Sequence, residues 1–177
     1  MKIFNIFRKQ NNINALKIMK DTYSTIGHKR HEYSLEIISN YNKSKNPLDI
    51  LAVAIAYERE GAKFRKNSIE YYEKYLSFKI TNPFFDYWQI YSSLAKLYEK
   101  EYEFGKALYC LNKLIQIDDG NNPSDYIRIG DIYTKQDINK AITYYENLIK
   151  TSSYIKHKCA IDYAYNEAKI KQAKGYI

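Results

Sequence analysis

The stretch "SSLAKLYEKEYEFGKALYCLNKLIQI" at residues 92–117 decides the fold, because its pattern of small and large apolar residues returns further along the chain. The second copy is "YIRIGDIYTKQDINKAITYYENLIKT" at residues 126–151. Ala107 in the first copy corresponds to Ala141 in the second, 34 positions later. A period near this length is typical of a repeated helix–turn–helix unit, so the sequence predicts stacked helical hairpins.

The packing of two helices in a hairpin explains the size of the residue at each position in the pattern. Leu94, Ala95 and Tyr98 fall on one face of a first helix, and Ala95 is small where two helices cross closely. A single hairpin cannot bury its apolar stripe, so each hairpin must pack against its neighbours. A degraded earlier copy runs through residues 50–78, with Ser68 at the small position of its second helix. A strand is the alternative for its first part, but the alternating alanines favour a helix that is covered on both sides.

With these residues in place, the sequence resembles the tetratricopeptide repeat family over residues 48–150. The family prefers Ala where this chain has Ser68, and Asp119 replaces a closing proline. The resemblance implies an all-α fold, a right-handed α-solenoid of about three hairpins with helical N- and C-terminal caps, in a single domain of residues 1–177. The matching residues are Tyr91, Leu94, Ala95, Tyr98 and Ala107, then Tyr126, Ile129, Gly130, Tyr133, Ala141 and Tyr145.

The ends of the chain are predicted to be caps on the repeats. Residues 1–47 form a basic N-terminal cap, either a helical pair or one bent helix, broken near Gly27 and ended before Pro47. Residues 151–177 form a C-terminal capping helix. Its expected packed face consists of Ile155, Cys159, Ala160, Tyr163 and Ala164.

Three helix starts carry side chains that can accept a hydrogen bond from a free backbone N–H group. The predicted N-cap residues are Asp49, Ser124 or Asp125, and Ser152 or Ser153.

The formal charge of +8 is concentrated at the two ends. Residues 1–47 hold 9 Lys and Arg against 3 Asp and Glu, while residues 48–150 hold 14 against 15. Excess lysine keeps a terminus in solution, but a basic segment can also attract nucleic acid. A nucleic-acid-binding accessory protein that uses the basic N-terminal segment is therefore the alternative function.

Composition points to a protein of the cytoplasm. Cys110 and Cys159 lack a CxxC partner and lie in apolar helical patterns, so both are expected to be buried free thiols in a reducing compartment. No segment is apolar for long enough to span a membrane. The start "MKIFNIFRKQ" could fold back onto the scaffold, touch an anionic bilayer or remain a free tail. The 20 tyrosines, with abundant Ile, Lys and Asn, are typical of an AT-rich genome, and we expect a bacterial or phage source.

Residues for catalysis are scarce in this chain. His28 and His31 have an HxxH spacing without a supporting ligand cluster, which favours surface histidines. His157 and Cys159 are two positions apart, so a helix would point them in different directions. The sequence holds neither a glycine-rich phosphate loop nor a nucleophile elbow. We expect no enzyme activity, no metal site and no cofactor.

In the resembled family, partners bind on the concave side that the first helices of the hairpins line. The resemblance thus implies a non-catalytic scaffold or adaptor for a protein or peptide partner, in an oligomeric state that the sequence leaves open. The family's clamp for chaperone tails is not expected, because only Arg128 fits it. The apolar floor at 48–55 is covered by the N-terminal pair or docks a partner helix. The candidate partner-binding residues are Leu51, Ile55, Gln89, Ser92, Lys96, Glu99, Ile127, Arg128, Asp131 and Thr134.

Overall fold

The computed structural model describes residues 28–78 and 87–175 of the 177-residue chain. All regular structure in these ranges is helical, as predicted. The chain divides into two compact units, Met1–Phe84 and Phe85–Ile177, and each unit is described by itself. The single domain of residues 1–177 stays a prediction. The expected break near Gly27 and the alternatives for "MKIFNIFRKQ" lie outside the described residues.

The first unit contains one helical hairpin preceded by a capping helix. Helix α1 (His28–Tyr41) packs on α2 (Pro47–Arg59), which pairs with α3 (Arg65–Leu76) through a short 3₁₀ helix at Ala62–Phe64. Residues 50–56 of α2 are all buried. Because α1 and α3 cover this helix, its apolar residues are continuous rather than striped, and the strand alternative is wrong.

Asparagine begins α2. The Asn46 Oδ1 atom accepts a hydrogen bond from the Leu48 N–H group at 2.9 Å, and Pro47 occupies the first helical turn, where no N–H group is required. The prediction of Asp49 as the N-cap is wrong. Asp49 lies in the first turn of the helix, where its carboxylate accepts a hydrogen bond from the Ser44 hydroxyl at 2.7 Å.

Two complete hairpins and a final helix form the second unit. Helices α4 (Tyr87–Lys100) and α5 (Phe104–Ile117) make the first hairpin, and α6 (Pro123–Gln136) and α7 (Ile138–Leu148) make the second. Helix α5 packs on α6, and α8 (Ser152–Ala173) packs on both α6 and α7. With α2 and α3, the described residues hold three hairpins, which confirms the predicted all-α helical-repeat fold.

The small positions of the pattern lie at the helix crossings. Ala107 and Ala141 are completely buried. At Gly130 the crossing of α6 and α7 is so close that a Cβ atom would overlap the Tyr145 ring, whose Cε2 atom would lie 2.8 Å away. The turn of this second hairpin is a single extended residue, Asp137, which ends α6 and is the N-cap of α7. Its carboxylate accepts a hydrogen bond from the Asn139 N–H group at 2.8 Å.

Helix α8 departs from its predicted packing. Ile155 and Tyr163, expected to be packed, are 80% and 71% exposed, and the buried residues are Ile161 and Ala168. A kink at His157 (φ −126°, ψ 25°) separates Ile155 from the rest of the helix. Beyond the kink, Ala164 packs as expected together with Ile161, Tyr165 and Ala168, so Tyr163 lies on the other side of the helix. The His157 Nε2 atom donates to the Gly120 carbonyl at 2.7 Å and so holds this kink against the turn before α6.

Three smaller expectations about this unit are also wrong. The N-cap of α6 is Asn122, which accepts a hydrogen bond from the Ser124 N–H group at 3.1 Å, and the N-cap of α8 is Thr151. Cys110 is buried as predicted, but Cys159 is exposed. Cys159 lies two positions before the buried Ile161 and therefore on the opposite side of α8.

Candidate functional site

A group of charged side chains connects the first helices of the two hairpins in the second unit. Arg128 Nη2 on α6 donates to Glu99 Oε1 on α4 at 2.7 Å, and Lys135 Nζ lies 3.8 Å from Glu99 Oε2. The Glu99 and Arg128 side chains are only 18% and 22% exposed, so this ion pair is partly shielded from water. The bridge brings α4 and α6 together on the side where the sequence placed partner-binding residues.

Helix α8 also contributes to this group. The carboxyl of Asp131 on α6 has a raised pKa because neighbouring atoms desolvate it, although part of its side chain remains exposed. The positive charge of Lys171 on α8 opposes this effect and lowers the pKa, as do Lys135 and Arg128, while Glu99 raises it. We call Glu99, Arg128, Asp131, Lys135 and Lys171 the charged face.

The other candidates of the second unit differ in accessibility. Gln89 and Lys96 on α4 are exposed, whereas Ser92 is buried. Ile127 and Thr134 on α6 are half-buried, and the Thr134 hydroxyl donates to the Gly130 carbonyl at 3.0 Å. The accessible part of the predicted set is therefore Gln89, Lys96 and Asp131, beside the Glu99–Arg128 pair.

Sequence reasoning missed Lys135 and Lys171. Lys135 follows Asp131 by four positions and Arg128 by seven, so its place on the same face of α6 was detectable from helical spacing. Lys171 carried no such signal, because its nearness to Asp131 depends on how α8 packs on α6.

The two candidates of the first unit are not accessible. Leu51 and Ile55 are 2% and 8% exposed, and α1 packs against the helix that carries them. Of the two alternatives for the apolar floor at 48–55, this burial favours the one in which N-terminal helices cover it.

The described residues contain no group of three or more side chains able to hold a metal ion. His31 Nδ1 lies 2.6 Å from the Glu60 carboxylate, and His157 holds the Gly120 carbonyl. His31 therefore links α1 to the end of α2, and His157 links α8 to the turn before α6. Within the same residues, no helix is both long and apolar enough to cross a membrane.

Comparison with known proteins places the chain by its fold. No protein-family model matches it, and no curated protein sequence is similar to it. The crystal structure of the APC/C hetero-tetramer Cut9–Hcn1 is similar over 87% of this chain, with a TM-score of 0.57 and 15% identity, and the match spans 29% of that longer chain. Structures of MamA from AMB-1 and MSR-1 match 89% and 93% of this chain, with TM-scores of 0.56 and 0.55.

The matches also cover almost the whole length of the two MamA chains, 92% and 99%, at 17% and 15% identity. At this identity the likeness concerns the fold. The chain is a helical-repeat protein of the all-α class. Its fold of stacked helical hairpins agrees with the resemblance to tetratricopeptide repeats that the pattern of small and large residues carries.

Proposed function

We propose that this chain is a non-catalytic scaffold that binds a protein or peptide on the charged face of its second unit. The observation that carries the proposal is the Glu99–Arg128 pair, which joins the first helices of successive hairpins. First helices that lie side by side form a continuous surface, and helical-repeat proteins use such surfaces for recognition. This step from fold to function is an argument by analogy.

The charges favour a polar, extended partner. Two carboxylates and three cations lie together, so a peptide that carries both signs of charge can replace an ion pair here and still give each charge a partner. Exposed Lys96 and Gln89 extend the surface along α4. Leu51, Ile55 and Ser92 are buried, and the proposal does not include them as contact residues.

The proposal is tested by capture from a native lysate with two matched double variants. Lys96→Glu with Asp131→Ala changes exposed residues of first helices, and Lys140→Glu with Asn112→Ala changes exposed residues of second helices. We expect the wild type and the second-helix variant to retain the same proteins and the first-helix variant to lose them. Retention by all three proteins, or by none, would contradict the proposal.

We place this scaffold in the cytoplasm, because a reducing compartment suits the exposed thiol of Cys159. The alternative nucleic-acid function rests on residues 1–47, most of which lie outside the described part of the chain. A gel shift at low salt with single- and double-stranded DNA and RNA separates the two functions. Retardation that disappears as salt rises would favour nucleic acid over a protein partner.

A further inference from the structure

We draw no further inference here: the strongest candidate, the side of α8 that carries the exposed Tyr163 and Ile170, mixes apolar with polar side chains, and nothing in the structure shows what covers it.

Discussion

Helices α6 and α7 cross so closely at Gly130 that the position has no room for a side chain. An added Cβ atom would overlap the buried ring of Tyr145, and the neighbouring rings of Tyr144 and Tyr165 restrict its movement. We therefore predict that Gly130→Ala lowers the free energy of unfolding by about 1–3 kcal/mol, the range for overpacking a core.

The control for this prediction is Gly105→Ala in the first turn of α5, where an added Cβ atom has nothing within 4 Å. Alanine is a better helix former than glycine, so this change should stabilise the chain by about 0.5–1 kcal/mol. Chemical denaturation of both variants measures the difference. Equal effects of the two substitutions would contradict the close crossing of α6 and α7.

The two cysteines differ in exposure and therefore in reactivity. Cys110 is buried in α5, whereas Cys159 is exposed on α8. We predict that a chromogenic disulfide reagent reacts rapidly with one thiol of the folded chain and with the second thiol only after denaturation. Cys159→Ser should remove the rapid phase and Cys110→Ser should not. Rapid reaction of both thiols in the folded chain would contradict the burial of Cys110.

At the scale of the helix, asparagine and proline together mark two of the helix starts. Asn46 and Asn122 each precede a proline in the first helical turn and each accept a hydrogen bond from the N–H group two residues on. We predict that Asn122→Ala destabilises the chain by about 1 kcal/mol, because it removes that bond. Thermal unfolding followed by circular dichroism measures the change.

Glu103 occupies the equivalent position at α5 but makes no capping bond there. Its carboxylate forms an exposed ion pair with Lys106, so Glu103→Ala should change the free energy of unfolding by about 0.5 kcal/mol or less. If both alanine variants lost the same stability, the capping role of Asn122 would be wrong.

The hairpins were predictable because each rests on a local pattern that the packing preserves. Leu94, Ala95 and Tyr98 are buried as their spacing required, and Ala107 lies at a helix crossing. The N-caps were misassigned because several capping residues stand close together before each helix, and only the backbone geometry shows where each helix begins. The packed face of α8 was mispredicted because more than one stripe there has helical spacing, and the one that packs runs through Ile161 and Ala168.

The charged face was predictable in part. Glu99, Arg128 and Asp131 follow from the spacing of first-helix residues, but the partner of each charge depends on how α4, α6 and α8 pack. The burial of Leu51 and Ile55 was left open, since the sequence did not show whether another helix covers them.

At the scale of the whole molecule, tyrosines hold the last three helices together. The Tyr144 hydroxyl donates to the Tyr126 carbonyl at 3.2 Å, and the Tyr165 hydroxyl on α8 donates to Glu146 on α7 at 3.1 Å. Burial raises the pKa of Tyr144 and Tyr145 well above the usual tyrosine range. A rich supply of tyrosine thus serves the packing of the repeats.

These raised pKa values predict alkaline unfolding. A tyrosine whose pKa is higher in the folded chain contributes stability that is complete below its unfolded pKa of about 10 and is lost as the pH rises further. The variant Tyr144→Phe with Tyr145→Phe should therefore lose less of its unfolding free energy between neutral and alkaline pH than the wild type. The exposed Tyr163→Phe should behave like the wild type. Phenolate absorbance from Tyr144 and Tyr145 that develops while the helices remain folded would contradict this account.

The central claim is that successive hairpins set their first helices side by side, and the Glu99–Arg128 pair tests it most directly. A double-mutant cycle with Glu99→Gln, Arg128→Gln and both together measures the coupling of two residues that are 29 positions apart. We predict a favourable coupling of about 1 kcal/mol, against less than about 0.5 kcal/mol for the exposed Glu103–Lys106 pair. A coupling of zero between Glu99 and Arg128 would mean that α4 and α6 do not meet as described.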